Sequence, residues 1–301
     1  INSKHLYLRL SLMKFNKIYV ELTNICGLAC SFCPSQKPPT STMSLKTFED
    51  VLIQIKPYTK IITYHMFGDP LTLSNLKEYL DLTLKYNIQV ELVTTGYYLN
   101  KFDLNLFLHP AIRQINFSLN SFNKNDMNMT LDQYLEPMFK ICDLKLKNKI
   151  HNFVNFRLWN LNPKKKSYKF NTEVIQKIEN KFNLYLDIEN QESIRLENQI
   201  KLHFDNYFQW PSLESTNNTN GTCYGLKSHF GILSSGDVVP CCLDSNGYIK
   251  LGNIHESSLD KILNSKRSVD IINGFKDNKA IEELCKKCTF KHRFNEDISI
   301  Y

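Results

Sequence analysis

No stretch of this chain approaches the roughly 18 consecutive apolar residues that a membrane-crossing helix requires. The opening, INSKHLYLRLSLMKFNK, also lacks the apolar core and small-residue cleavage site of an export signal. The two absences argue against a membrane partner and fit a reducing cytoplasm, where nine cysteines serve as ligands more readily than as disulfides. RNA-recognition motifs are missing too. The net charge of +7 and the run Lys164-Lys165-Lys166, which follows Asn162-Pro163, therefore read as a solvated basic loop and argue against nucleic acid as a partner. The first residue is Ile, and Met13 stands just before the first strand, so residues 1–12 are expected to be an upstream extension.

What is present is a globular composition. The 301 residues, 42% of them hydrophobic, suffice for one large domain or a large and a small one. Through the first two-thirds, short β-rich segments alternate with helical patterns, the signature of β/α units and a parallel sheet. Strands are predicted over Lys17–Leu22, Ile61–Phe67, Gln89–Thr94, Gln114–Asn120, Asn152–Trp159 and Leu184–Glu189. Helices are predicted over Ser44–Pro57, Asn75–Tyr86, Asp103–His109, Leu131–Lys147 and Thr172–Phe182. Asn75 with Glu78, and Thr130 with Gln133, have the spacing of a capping box.

Side chains alternate across a strand, and strands four and five use that alternation unusually. Ile115, Phe117 and Leu119 oppose Asn116, Ser118 and Asn120, while Val154, Phe156 and Leu158 oppose Phe153, Asn155, Arg157 and Trp159. The apolar face must meet the helices, which leaves a polar face pointing inward. A sealed barrel core is filled with branched apolar residues. Buried unpaired polar groups are costly, so a polar interior implies a hollow that holds a polar ligand. A sheet with one face covered by a second domain fits the same pattern.

Chemistry concentrates in cysteine. After the first strand, ELTNICGLACSFCPS carries Cys26, Cys30 and Cys33 with spacing C-x-x-x-C-x-x-C. Three thiolates can converge on one inorganic centre, and soft sulfur selects zinc, copper(I) or an iron–sulfur cluster. A four-iron cluster wants four ligands, so three would leave one corner open. A zinc knuckle or buried thiols fit the three cysteines taken alone.

This loop, with aromatic Phe32 before the last cysteine, resembles that of the radical S-adenosylmethionine (SAM) superfamily. The resemblance implies a 4Fe–4S cluster on Cys26, Cys30 and Cys33, with SAM chelating the open iron, on an α/β fold that forms a partial (β/α)6 TIM-like barrel. Chemistry in such a barrel belongs at the C-terminal strand ends, where this loop lies. Phe67-Gly68-Asp69-Pro70 resembles the GGEP motif, with Phe and Asp in place of Gly and Glu, and Thr94-Thr95-Gly96 resembles the T-N-G turn. By resemblance, Phe32, Gly68, Asp69, Ser118 and Asn120 are expected to contact SAM.

The last third holds Cys223, Cys241, Cys242, Cys285 and Cys288. The pattern resembles the SPASM/Twitch extension of radical SAM enzymes, in the shorter form with one auxiliary 4Fe–4S cluster. The expected ligands are Cys223, Cys241, Cys285 and Cys288, with Cys242 as the alternate, because adjacent cysteines in extended chain point in opposite directions. A four-cysteine zinc site also fits these spacings. Cys142 reads as a packing thiol in the helix Leu131–Lys147, and a single helix is predicted over Leu259–Phe275. The expected division is 13–205 for the barrel and 206–301 for the auxiliary domain.

The resemblance implies an enzyme that cleaves SAM reductively to a 5′-deoxyadenosyl radical and takes hydrogen from a small polar molecule or a peptide. A flavodoxin- or ferredoxin-type protein would donate the electron, and the auxiliary cluster would relay electrons. Peptide-modifying members often carry an N-terminal recognition domain. Only 25 residues precede Cys26, which shifts the expectation toward a small or partner-delivered substrate. Arg157 and Asp244 are the candidate catalytic residues, to orient a carboxylate or accept a proton; a salt-bridged structural role fits each as well. The competing class is a non-catalytic electron-transfer or metal-stabilised binding protein.

Overall fold

The computed structural model describes residues 14–34, 38–125, 128–161, 169–188, 191–206 and 209–294. The suspected extension 1–12 and the Lys164–Lys166 run lie outside them. The strands are β1 (Ile18–Val20), β2 (Ile61–Tyr64), β3 (Gln89–Thr94), β4 (Ile112–Ser118), β5 (Phe153–Leu161), β6 (Ser193–Glu197), β7 (Ile200–Asn206), β8 (Gly231–Ile232), β9 (Asp237–Val239) and β10 (Gly252–Asn253). The α-helices are α1 (Leu45–Ile55), α2 (Leu76–Lys85), α3 (Leu131–Lys147), α4 (Lys169–Phe182), α5 (Leu259–Leu263), α6 (Lys266–Lys276) and α7 (Glu283–Lys287).

One sheet joins all ten strands in the order β10-β9-β8-β1-β2-β3-β4-β5-β7-β6. From β1 to β7 every neighbouring pair is parallel, as crossover helices require. On the other side of β1, β8 adds a further parallel strand, and β8–β9–β10 continue antiparallel. The C-terminal segment thus hydrogen-bonds directly to the first barrel strand.

Alternation places the core on the outer face. Ile18, Val20, Ile62, Tyr64, Val90, Leu92, Ile115, Phe117, Val154, Phe156 and Leu158 are all buried. Helices cover them: Phe48 of α1 meets the rings of Tyr64 and Tyr79 at 5.9 and 5.2 Å, and Phe139 of α3 meets Phe156 at 6.0 Å. Emptying such a site costs about 3–5 kcal/mol for Phe to Ala. Polar residues occupy the inner face. Asn116 accepts from Gln114 and Asn155, and Glu91 pairs with both Lys17 and Arg113.

Four local expectations change. Residues 184–188 form no strand, with Tyr185 exposed; Glu189 lies outside the described residues. The sixth parallel strand is β7, where Ile200, Leu202 and Phe204 supply the buried face. The predicted helix Leu259–Phe275 breaks into α5 and α6, because the Ser265 side chain caps a new start by accepting from the Ser268 amide. The segment Asp103–His109 tightens to a 3₁₀ helix over Leu104–Leu108. The capping box forms at Thr130–Gln133 but not at Asn75, whose side chain makes no cap bond.

Candidate active site

The cysteine loop leaves β1 through a run of buried polar residues. Glu21 accepts from the Ser234 amide and hydroxyl and from the Phe67 amide, which ties the end of β1 to both flanking strands' loops. Asn24 holds the returning chain, donating to the Pro39 carbonyl and accepting from the Ser41 amide. At Gly27 the backbone has φ of +73°, and a Cβ there would lie 1.8 Å from the Tyr98 hydroxyl oxygen, so only glycine fits. Asn125 then braces the loop from across the barrel, accepting from the Ala29 amide and donating to the Cys30 sulfur at 3.0 Å. Hydrogen bonding with Cys33, then with Asn125 and Ser121, outweighs burial and pulls the Cys30 thiol down to about 6, favouring the thiolate a metal needs.

The turn after β2 presses against the base of this loop. A Cβ on Gly68 would meet the Thr23 carbonyl oxygen at 2.1 Å. Asp69, expected to contact SAM, is engaged by the neighbouring turns. Its carboxylate is buried and accepts from the Leu71 amide, the Thr94 hydroxyl, and the Thr95 amide and hydroxyl, all at 2.7–3.0 Å. Asp69 lines neither of the cavities described next. It fixes the Thr94-Thr95-Gly96 turn, and its shorter side chain is consumed in doing so.

Two cavities occupy the inner face. The smaller, about 110 Å³, is lined by Phe32, Ser118, Asn120, His65, Val93, Arg157, Trp159 and Trp210. Three of the residues expected at SAM therefore share one wall, beside the cysteine loop. The larger, about 240 Å³, reaches from Lys17, Tyr19 and Glu91 to all five C-terminal cysteines. His65, Val93, Arg157, Trp159 and Trp210 line both, so the cavities adjoin.

The C-terminal cysteines come from three places: the loop before β8, the end of β9, and α7. Cys241 and Cys242 stand at a bend that opens a turn, and they have different surroundings. Cys241 is within electrostatic reach of Cys223, Cys285 and Cys288, whereas Cys242 packs with Tyr19 and hydrogen-bonds its phenol. Burial, reinforced by the neighbouring cysteines, pushes the Cys241 and Cys285 thiols well up, so this set ionises only with a metal to coordinate it. Lys291 sits beside them, almost wholly buried, and donates to the carbonyls of Cys285, Lys286 and Cys288 at 3.0, 2.9 and 3.1 Å. Three accepting carbonyls need three N–H donors, which an ammonium has and a neutral amine lacks. None of the nine cysteines forms a disulfide, and among the described residues no three His, Cys, Asp or Glu side chains gather tightly enough for a single metal ion.

Asp244, expected at the substrate, lines neither cavity. It is buried away from both cavities and accepts from the Tyr248 and Ile249 amides, closing the turn after Cys242. Burial pushes its carboxyl up to about 6.

The sequence profile of the Radical SAM superfamily matches residues 20–170, and that of an iron–sulfur cluster-binding domain, SPASM, matches residues 223–289. The chain belongs to the radical SAM superfamily. Solved structures share the fold. BtrN, in complex with AdoMet and 2-DOIA, is 16% identical with a TM-score of 0.58, covering 91% of this chain and 93% of its own. SuiB of Streptococcus suis, bound to precursor peptide SuiA, is 17% identical with a TM-score of 0.60, covering 94% and 73%. AdoMet-bound anSMEcpe is 16% identical with a TM-score of 0.53, covering 92% and 84%. No curated protein matches the sequence. As a radical SAM enzyme with a SPASM domain, the chain has a partial TIM-like barrel, uses 4Fe–4S clusters, and binds SAM. No helix among the described residues is long and apolar enough to cross a membrane.

Tyr19, His65, Glu91 and Trp210 line the larger cavity and were not singled out in the sequence. The signal was available for three of them, because Lys17/Tyr19, Thr63/His65 and Glu91/Val93 repeat on β1–β3 the alternation read on β4 and β5. Lys291 had no signal; it is one lysine in a lysine-rich tail.

Proposed function

We propose that this enzyme abstracts hydrogen from a substrate held between two metal centres. Cys26, Cys30 and Cys33 would hold the SAM-binding cluster, and Cys223, Cys241, Cys285 and Cys288 a single, fully ligated auxiliary cluster, with Cys242 outside the ligand set. When bound, the reduced first cluster supplies the electron that splits the SAM sulfonium into methionine and a 5′-deoxyadenosyl radical. The observation that carries the reading is the shared wall: His65, Val93, Arg157, Trp159 and Trp210 line both the cavity beside Phe32, Ser118 and Asn120 and the one beside the second cysteine set.

The chain's own work is binding, orientation and exclusion of water. Ser118 and Asn120 offer hydrogen bonds to SAM, Phe32 offers an apolar surface, and Gly68 lets the β2 turn approach closely. Tyr19, Trp159 and Trp210 wall the substrate space. His65 stands neutral there, pushed down to about 3 by burial and then by Arg157 and Lys17. The auxiliary centre would relay the electron left on the substrate, and a flavodoxin- or ferredoxin-type donor would supply the first one. The domain boundary is placed near residue 205, before the second cysteine set. The substrate is a small molecule or a peptide; BtrN bound to 2-DOIA and SuiB bound to SuiA represent the two.

Anaerobic iron and sulfide analysis, followed by SAM and reductant, tests the proposal. The expected content is about eight irons per chain, from two four-iron clusters, with release of 5′-deoxyadenosine. Zinc without sulfide would defeat it.

A further inference from the structure

Among the side chains that line the two cavities, cations outnumber carboxylates, and one of the cations sits at the junction of the two. Among the described residues lining them, the cationic side chains are Lys17, Arg157 and Lys291, and the one carboxylate is Glu91. Glu91 is already shared by Lys17 at 2.6 Å and Arg113 at 3.1 Å. Lys291 is occupied by three carbonyls. His65 and His229 are held neutral, by burial first and then by the nearby cations.

Arg157 is left over. No acidic side chain among the described residues is within ion-pair distance of it, and its buried Nε has no hydrogen-bond partner there. Its guanidinium lies over the face of Trp159, 4.6 Å from the ring centroid. A guanidinium has five N–H donors in a fork that matches a carboxylate. Leaving it buried and uncompensated is costly unless an anion arrives. The position is set by the sheet, since Arg157 stands in register between Ser118 of β4 and His203 of β7.

We propose that the substrate carries a carboxylate, that Arg157 binds it, and that the apolar body of the substrate lies against Tyr19, Trp159 and Trp210. This deepens the proposed function, on which it rests for what enters the cavity. SAM also has a carboxylate, but the substrate is the better source. Arg157 lines both cavities, but the larger, with Lys17, Tyr19 and Glu91, is the one beside the second cysteine set, whereas Phe32, Ser118 and Asn120, expected at SAM, line the smaller alone.

The test is anaerobic calorimetry on the reconstituted, SAM-bound enzyme with matched probes: benzoate against benzamide, phenylacetate against phenylacetamide, and indole-3-propionate against its amide. At least one acid binds about tenfold or more tighter than its amide, the effect of one charge-assisted hydrogen-bonded pair. Arg157→Met removes that preference while leaving amide binding and SAM affinity within about threefold, and Arg157→Lys retains part of it. Cluster absorbance and amide binding report that each variant is folded. The proposal is overturned if no acid binds, if acids and amides bind alike, if the preference survives Arg157→Met, or if the loss falls on SAM instead. Release of 5′-deoxyadenosine is scored separately, so failure of the radical chemistry and failure of the carboxylate site are distinguishable.

Discussion

The two cysteine sets solve opposite problems. The first is local: three thiols within one short loop, braced by Asn125, with Cys30 drawn down toward thiolate by hydrogen bonds. The second is assembled by the whole fold from Cys223, the end of β9 and α7, and burial drives its thiols up. A centre that must keep an open corner for a ligand is pre-organised by the backbone around it. The second set, proposed above as a fully ligated centre, is instead gathered from several elements at the edge of the larger cavity, with the buried Lys291 side chain nearby.

Substitutions can break this contrast. The largest effect is expected from Cys30→Ala, which would remove one of the three proposed ligands: SAM cleavage should disappear while about half the iron remains, as measured by 5′-deoxyadenosine release and iron content. In the second set, Cys241→Ala should lose the other half of the iron, whereas Cys242→Ala should keep it. Equal losses would return Cys242 to the ligand set.

Lys291→Met sharpens the electrostatic side. Removing the cation beside the auxiliary centre should lower its midpoint potential in an EPR-monitored titration by about 59 mV, a tenfold change for one electron. Lys291→Arg should retain most of the potential, and no shift in Lys291→Met would make the residue purely structural.

The smallest effect concerns the turn after Cys242. The Asp244 carboxyl is raised in the folded chain, so its contribution to stability is present at low pH and is lost as pH rises toward and through about 6. Between pH 5.5 and 7.5 the wild type should lose about 1 kcal/mol relative to Asp244→Asn, read from denaturation curves.

Much of the barrel was legible because period-two alternation and capping are local. β3 and α3 fall where the pattern of Gln89–Thr94 and Leu131–Lys147 puts them. The polar inner face of β4 and β5 was legible for the same reason, as was the first cysteine loop. Less legible was whatever depends on who the neighbour is. Leu184–Glu189 and Ile200–Asn206 both carry strand-like sequence, and only the pairing with β5 decides between them. Asp69 and Asp244 look like available carboxylates until the amides that consume them are located. Lys291 acquires meaning only from three carbonyls of a helix end packed beside the cysteines.

The central claim is that the Cys26–Cys30–Cys33 centre keeps one coordination position for SAM. Pulsed electron–nuclear spectroscopy of the reduced protein with SAM labelled by ¹⁵N in its amino group tests it most directly. The account predicts a resolved nitrogen coupling to the cluster in wild type and in Cys241→Ala, and none in Cys30→Ala. A reduced cluster present in wild type without any coupling to the labelled nitrogen would contradict it.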